Sequence, residues 1–326
     1  MKNKKFMILL FISAFILSGF ISGYIYLDKI NTVEISKKDE DLGITKEKKK
    51  SNKKKVDPKD KIINIALFGG DKRDKYSPIH SDAIMILSID TGANSIKLSS
   101  IMRDTYVNIQ GHGMDKINHA YAFGGPELAI RTLNENFNLN IRDYVFVDFF
   151  GFEDIVDTLG GIEVDVKKNE VREINKYIRE VASIKNETPT LLDGSGIKKL
   201  NGSQALAYSR IRKVGNGDFE RTNRQRKVLE LLFEKALNAG ITKYPKLVDS
   251  ILPHLETSLS KTDIIKYGSQ VLGSNIKGME QSCFPQSENC KEERINGISY
   301  IVSDLNETEK DIHKFIYGEV EQCKLD

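Results

Sequence analysis

Short apolar runs alternate with segments of helical periodicity along most of the chain. Apolar runs at residues 62–68, 83–89 and 95–101 predict three β-strands, and the turn Asp-Thr-Gly-Ala-Asn joins the last two as a hairpin. Further strands are predicted at residues 144–149, 162–166 and 298–303, and helices at residues 126–138, 152–159, 261–272 and 307–317. Strands that are apolar on both faces and alternate with helices indicate a sheet covered on both sides. The sequence therefore predicts the α/β class, as a three-layer α/β/α domain with a central mixed sheet.

Residues 6–27 form an almost unbroken apolar run that follows Lys2, Lys4 and Lys5. The run is long enough to cross a hydrocarbon core of about 30 Å as a helix. A cleaved signal peptide usually has an apolar segment of about 7 to 15 residues and a small-residue exit, which fits this run poorly. We expect one N-terminal transmembrane signal anchor at residues 6–27, with residues 1–5 in the cytoplasm and the rest of the chain outside the cell membrane.

Residues 28–60 lack hydrophobic periodicity and are rich in Lys, Asp and Glu. This composition predicts a flexible charged linker, whose lysines either act as a solubilising spacer or contact anionic lipid or wall polymer. Residues 61–326 contain no internal repeat and no second linker, so we expect one extracellular domain.

The stretch at residues 200–240 predicts a short helix, a connector that contains Arg210 and Arg212, and a long second helix. Asp218 is the predicted N-cap of the second helix, and Gly240 is its predicted C′ residue. Both arginines of the connector would approach the start of the second helix from one side.

The second of these helices carries Arg221, Arg224 and Gln225 on its core-facing side, within the first turns. Cations at this position oppose the helix macrodipole and lose hydration. A bound anion would offset both effects, because the first-turn N–H groups and the guanidinium groups all direct donors to one place. The alternative is that these arginines reach the surface or pair with carboxylates.

Charged residues also follow or precede the predicted strands. Asp71 ends the first strand, Asp82 precedes the second, and Arg103 follows the third. Two carboxylates opposite arginines suit a divalent cation that bridges to phosphate oxygens, although loop salt bridges explain the spacing equally well. Lys116, in the loop KINHAY, adds a donor, and His119 in the same loop is more typical of a structural hydrogen bond than of a base.

The net charge, the absent motifs and the cysteines limit the classes of function that the sequence supports. A net charge of +3 over 326 residues does not favour nucleic acid as a partner, and no P-loop, HExxH or GxSxG motif is present. The absence of an evident nucleophile favours direct transfer to an acceptor hydroxyl over a covalent enzyme intermediate. Cys283, Cys290 and Cys323 form no CxxC motif; either Cys283 pairs with Cys290, or all three are unpaired thiols.

Several motifs, in this order, resemble those of the LytR-CpsA-Psr family. They are NIALFGGD, SDAIMILSID, SIMRDT, KINHAY, YVFVDFFGFEDIVDTLGGIEVDV and LNGSQALAYSRIR followed by GDFERTNRQR, and they extend from residue 64 to residue 226. The resemblance implies a membrane-anchored phosphotransferase. Such an enzyme moves an anionic glycopolymer, such as wall teichoic acid or capsular polysaccharide, from a polyprenyl-pyrophosphate carrier to a peptidoglycan hydroxyl, with Mg²⁺ as the ion.

The resemblance also implies roles for individual residues. Asp71 and Asp82 match the acidic positions near the metal, and these two with Arg103 would be catalytic. The residues implied to hold the pyrophosphate are Arg103, Arg210, Arg212, Arg221 and Gln225, with Arg224 and Lys116 in the matching motifs. The chain departs from the family pattern at His80, where Arg is frequent, and at Met102, where Pro is frequent.

Two other functions remain open from the sequence. A Mg²⁺-dependent pyrophosphatase or phosphatase of the same lipid carrier would differ only in using water as the acceptor. A membrane-bound transcriptional regulator would need a cytoplasmic segment that binds nucleic acid, and residues 1–5 are too short for this. The expected partners are therefore the lipid-linked glycopolymer, peptidoglycan and the membrane, and not nucleic acid.

Overall fold

The computed structural model of the protein describes residues 30–45, 62–70, 79–238, 254–273, 276 and 278–318. The strands are β1 Asn31–Thr32, β2 Ile62–Gly70, β3 Ser81–Asp90, β4 Ser95–Ile101, β5 Tyr106–Ile109, β6 Gly113–Lys116, β7 Asp143–Asp148, β8 Ile162–Val166, β9 Gly196–Leu200, β10 Leu255–Thr257, β11 Glu280–Phe284, β12 Cys290–Ile295 and β13 Ile298–Ser303. The helices are α1 His119–Phe137, α2 Phe149–Thr158, α3 Val171–Lys185, α4 Gly202–Ser209, α5 Gly217–Asn238, α6 Lys261–Gly273 and α7 Leu305–Tyr317, with a 3₁₀ turn at Ser287–Asn289.

A seven-stranded mixed sheet has the order β1-β10-β7-β2-β3-β4-β11. Strand β3 pairs antiparallel with β2 and β4, whereas β7 is parallel to β2 and β11 is parallel to β4. The hairpin predicted between β3 and β4 is confirmed, with Asp90 opposite Ser95. Three two-stranded sheets, β5-β6, β8-β9 and β12-β13, lie outside the central sheet.

Alternate residues of β2 enter different apolar clusters, because side chains alternate between the two faces of a strand. Ala66 and Phe68 pack with α1 and α7, whereas Ile65 and Leu67 pack in the cluster that includes α6. Both faces of the sheet are therefore covered by helices, which explains the continuous apolar runs. The predicted α/β class and central mixed sheet are confirmed.

A second apolar cluster lies around the small β8-β9 sheet and packs helices α2 to α5 together. It includes Ile178 of α3, Ala205 of α4 and Val228 of α5. This cluster fixes the connector between α4 and α5, which carries Arg210 and Arg212.

Gly202 allows α4 to approach α2 closely, since a Cβ atom there would lie 2.3 Å from the carbonyl oxygen of Glu153. We expect Gly202→Ala to lower the free energy of unfolding by about 1–3 kcal/mol, because the backbone would have to move. Gly194→Ala is the control, since no atom lies within 4 Å of a Cβ there. Urea unfolding of both variants tests this; equal stability would contradict it.

Residues 30–45 differ from the predicted flexible linker, because they pack on the domain. Leu42 is fully buried, and its carbonyl oxygen accepts a hydrogen bond of 2.8 Å from Asn134. Lys37 forms an ion pair with Asp143, and Thr32 pairs with Thr257 of β10. The linker prediction is therefore wrong for this segment, where apolar residues between the charges were enough to anchor the chain. Residues 46–60 lie outside the described residues.

Three other sequence predictions have separate outcomes. Within the described part of the chain, no helix has the length and apolarity to cross a membrane, and the predicted anchor at residues 6–27 lies outside it. Cys283 and Cys290 are both free thiols, so the disulfide alternative is wrong, and Cys323 lies outside the described residues. Asp218 lies within the first turn of α5 rather than at its N-cap.

Candidate active site

Arg103 follows β4 and lies between two carboxylates from different parts of the chain. Its Nη1 donates to Oδ1 of Asp82, at the start of β3, and its Nε donates to Oδ2 of Asp218 at 3.2 Å. Antiparallel pairing of β3 with β4 brings Asp82 and Arg103 to the same end of the sheet. The predicted gathering of charged residues at strand ends is present here.

Two more arginines reach the same carboxylates. Nη2 of Arg221 lies 3.1 Å from Oδ2 of Asp218, and Nε of Arg212 lies 3.4 Å from Oδ1 of Asp218. Nη2 of Arg212 also lies 4.0 Å from Oδ1 of Asp82. We call these five residues the arginine cluster: Arg103, Arg212, Arg221, Asp82 and Asp218.

Positive charge exceeds negative charge in the arginine cluster. Burial alone would raise the pKa of Asp218, but Arg221, Arg103 and Arg212 outweigh it and hold that pKa below its usual value. Burial, followed by repulsion from Arg103 and Arg212, lowers the pKa of Arg221 to about 10. Arg221 is 4% exposed, and its Nε has no hydrogen-bond partner among the described residues. An anion at this place would relieve the repulsion and accept from the unpaired donor.

Lys116 joins the edge of the arginine cluster through Asp104. Its Nζ lies 3.0 Å from Oδ1 of Asp104, whose Oδ2 lies 3.7 Å from Nε of Arg103. Burial alone would lower the pKa of Arg103, but Asp104, Asp82 and Asp218 raise it overall, so the guanidinium is firmly charged. The structure therefore brings the predicted residues Lys116 and Arg103 together.

An apolar cavity of about 260 Å³ opens beside the arginine cluster. Asp82 and Gln225 lie in its lining, and the rest of the wall comes mainly from the sheet face of Leu67 and from α2, α4 and α5. A second apolar cavity of about 360 Å³ continues along the same sheet face and shares Leu67, Val145 and Leu255 with the first. The site therefore places a cationic group at the end of an extended apolar channel.

Arg224 does not belong to the arginine cluster, contrary to the prediction. It is 3% exposed, its Nε donates to Glu170 at 2.9 Å, and its Nη1 and Nη2 donate to the carbonyl oxygens of Ile211 and Val214. These hydrogen bonds of the guanidinium therefore hold the α4–α5 connector in place. The structure therefore does not bring Arg224 together with the other residues predicted to bind pyrophosphate.

Arg210 also faces a different partner. Its Nη2 lies 3.3 Å from Oε1 of Glu180 on α3, and its guanidinium lies between the rings of Phe149 and Tyr177, at 4.9 and 5.0 Å. Its Nη1 is buried and has no hydrogen-bond partner among the described residues. Phe149 lines the apolar cavity, so Arg210 contacts a residue of the cavity wall, and its ion pair is with Glu180 rather than with Asp82 or Asp218.

The acidic residues can be compared with what Mg²⁺ requires. Asp71 lies outside the described residues, and the part of the chain that is described has no cluster of three or more His, Cys, Asp or Glu suited to a metal. Mg²⁺ usually binds through one or two carboxylates, with water and phosphate oxygens completing its shell. Asp82 is 32% exposed in its side chain and offers such an oxygen beside the arginines, so the residues present fit this ion.

A family profile, the LytR_cpsA_psr family, matches residues 26–314, which is most of the chain. The chain is a member of the LytR-CpsA-Psr family. The match begins before β1, which agrees with the packing of residues 30–45 on the domain.

Several named proteins of known sequence or structure are similar to this chain over most of its length. The polyisoprenyl-teichoic acid–peptidoglycan teichoic acid transferase TagU of Oceanobacillus iheyensis is 35% identical over 251 residues, 74% of this chain and 72% of TagU. The regulatory protein MsrR of Staphylococcus aureus is 33% identical over 219 residues, 66% of this chain and 61% of MsrR. The structure of the family protein YwtF (TagT) of Bacillus subtilis with bound octaprenyl pyrophosphate lipid superposes with a TM-score of 0.58 at 27% identity, covering 81% of this chain and 93% of that one.

The sequence alone did not identify Asp218 as a residue of the site. Asp218 was assigned to a helix N-cap, yet its carboxylate contacts three arginines. Its position three residues before Arg221 was the available signal, because residues at this spacing are neighbours on a helix. Asp104, by contrast, follows Arg103 after the third predicted strand, and this position at a strand end indicates that it belongs near the site.

Proposed function

We propose that this protein is a phosphotransferase that moves an anionic glycopolymer from a polyprenyl-pyrophosphate carrier to a peptidoglycan hydroxyl. One observation carries the proposal. Three arginines, one of them buried with an unpaired donor, converge beside Asp82 at the end of an apolar channel. A ligand that fits both the arginines and the apolar channel has a doubly charged head and a long hydrocarbon tail. The names of TagU and of the lipid-bound YwtF structure support the same ligand class and reaction.

The residues of the site have distinct roles in this reaction. Arg103, Arg212 and Arg221 hold the pyrophosphate oxygens and stabilise the charge that develops on the leaving lipid phosphate. The acceptor hydroxyl oxygen forms a bond to the phosphorus that carries the glycopolymer. The bond from that phosphorus to the bridging oxygen breaks, and polyprenyl phosphate leaves. The hydroxyl proton would move to a carboxylate, either Asp82 or Asp71.

Gln225 would lie where the charged head and the tail meet, because it is one of the few polar residues that line the apolar cavity, together with Asp82. Its amide would donate to a phosphate oxygen without adding charge. Lys116 and Asp104 lie farther out, beside Arg103, and would keep that guanidinium oriented.

Asp82 and Asp71 are the residues that would hold Mg²⁺. When bound, the ion would neutralise part of the pyrophosphate charge. Arg103, which pairs with Oδ1 of Asp82 in this structure, would then be available to contact a phosphate oxygen.

The remaining parts of the proposal concern location. A prenyl tail held in the two apolar cavities belongs to a lipid, so the enzyme must work at a membrane surface. The apolar run at residues 6–27 would anchor it there, with the domain outside the cell.

The test uses the full chain with Mg²⁺, a polyprenyl-pyrophosphate glycan and soluble peptidoglycan fragments. The full chain is needed because residues 30–45 pack on the domain. We expect a covalent conjugate of glycan and peptidoglycan, together with polyprenyl phosphate, and no conjugate after chelation of Mg²⁺. Release of lipid phosphate without a conjugate at any acceptor concentration would contradict transfer and show a hydrolase instead.

A further inference from the structure

We propose that Phe123 and His112 form a stacking platform that binds a sugar ring of the acceptor glycan. Their rings are stacked, with centroids 4.2 Å apart and an interplanar angle of 10°. Phe123 is 45% exposed, so a large part of its side chain is open to a ligand. The inference rests on the proposed transfer reaction, because it assigns the side from which the acceptor approaches.

Two tight turns hold these rings in place. Phe123 is the last residue before a break in α1, where Gly124 and Gly125 leave helical geometry and Gly125 has φ 64°. His112 lies in the β5–β6 turn between Gly111 and Gly113, which have φ 79° and 78°, and its N–H donates to Ile109 at 2.9 Å. Glycine adopts these positive φ values without strain, so both turns can present the two rings side by side.

A row of rings leads from the platform to the arginine cluster. The His119 ring is 5.8 Å from that of Phe123, and the His80 ring is 5.1 Å from that of His119. His80 lies two residues before Asp82 in the chain. His119 is fixed by Asp115, whose Oδ2 lies 2.8 Å from Nδ1. The platform is therefore continuous with the residues that would bind and activate the acceptor hydroxyl.

The platform and the lipid channel lie against opposite faces of the sheet. Tyr121, two residues before Phe123, packs on Phe68 and Phe146 with centroid distances of 5.2 and 5.4 Å. The channel instead uses Leu67 and Val145, whose side chains point to the other face. A donor held on one face and an acceptor held on the other would meet at the strand end that carries Asp82.

The chemistry of the platform suits a saccharide. The face of an aromatic ring carries partial negative charge, and the C–H groups on one side of a sugar ring present partial positive charge. Hydroxyl and N-acetyl groups at the edge of that sugar would find hydrogen-bonding groups on His119, Asp115 and Lys116, which are only partly buried. A prenyl chain would use the apolar area but would cover the exposed parts of these polar side chains without offering them a hydrogen bond.

The experiment compares Phe123→Ala, Phe123→Tyr and wild type as full chains. We expect Phe123→Ala to raise the acceptor KM about tenfold, the loss expected for one aromatic contact, with little change in kcat and no change in donor affinity. Phe123→Tyr keeps the ring and should restore the wild-type KM. Ile197→Ala is the matched control, because Ile197 is an exposed apolar side chain on β9.

The result separates the platform from the proposed function. Direct binding of a soluble N-acetylglucosamine–N-acetylmuramic acid oligosaccharide, measured by calorimetry on wild type and Phe123→Ala, does not depend on transfer. Weaker binding by Phe123→Ala alone supports the platform even if wild type forms no conjugate, an outcome that would count against the transfer reaction only. Equal oligosaccharide affinity and equal acceptor KM in both proteins, or a loss of donor affinity in Phe123→Ala, would overturn the platform.

Discussion

Arg221→Ala should lower the rate of glycopolymer transfer by about 10²–10³-fold, the usual loss when one preorganised donor to a developing charge is removed. Arg221 is the most buried arginine of the cluster, and its Nε is unpaired among the described residues. Burial, followed by repulsion from Arg103 and Arg212, lowers its pKa to about 10, so a bound pyrophosphate would stabilise a charge that is unfavourable in the empty site. The measurement is conjugate formation at saturating acceptor, together with donor affinity.

Arg226→Ala is the control for this variant. Arg226 lies five residues later on α5, where it hydrogen-bonds Asn223 outside the arginine cluster, and its removal should leave transfer unchanged. The fold should survive Arg221→Ala, because Asp218 keeps its contacts with Arg103 and Arg212. A transfer rate in Arg221→Ala equal to that of Arg226→Ala would refute the assignment of the site.

The strands of the central sheet were predictable because their apolar runs are continuous and end at polar turns. Strand β4, Ser95–Ile101, has the bounds that its apolar run predicts, and β2 and β3 extend theirs by two or three residues. The β5–β6 hairpin was not predicted, because GMDK has no apolar alternation. Strand β1 has two residues and exists only through pairing with β10, which lies more than two hundred residues away in the chain.

The arginines of the candidate site show where sequence reasoning stops. Arg221 and Arg224 lie one helical turn apart, and both are buried on α5, so periodicity assigns them to one side. Their partners separate them. Arg221 contacts Asp218 on its own helix, whereas Arg224 pairs with Glu170 at the start of α3. Because this partner is distant in sequence, no local pattern indicates it. From the sequence alone, a buried arginine that pairs with a carboxylate cannot be distinguished from one that binds a ligand.

Arg224→Ala should lower the free energy of unfolding by about 3–5 kcal/mol, the usual cost of removing one partner from a buried ion pair. The side chains of Arg224 and Glu170 are 4% and 2% exposed. Without Arg224, Glu170 would keep a buried charge, and the carbonyl oxygens of Ile211 and Val214 would lose their donors. Urea unfolding of the full chain measures the effect, with Arg226→Ala as the control.

The double variant Arg224→Met with Glu170→Leu should recover part of this loss, since apolar residues can replace a buried pair at little cost. Recovery should be incomplete, because Glu170 also accepts a hydrogen bond of 2.9 Å from the N–H of Lys167. Below its unfolding transition, Arg224→Ala should keep wild-type donor affinity, in contrast to Arg221→Ala. A variant with wild-type stability but weakened donor binding would show that Arg224 contacts the pyrophosphate. If Arg224 only supports the α4–α5 connector, its removal can weaken donor binding only by destabilising the fold.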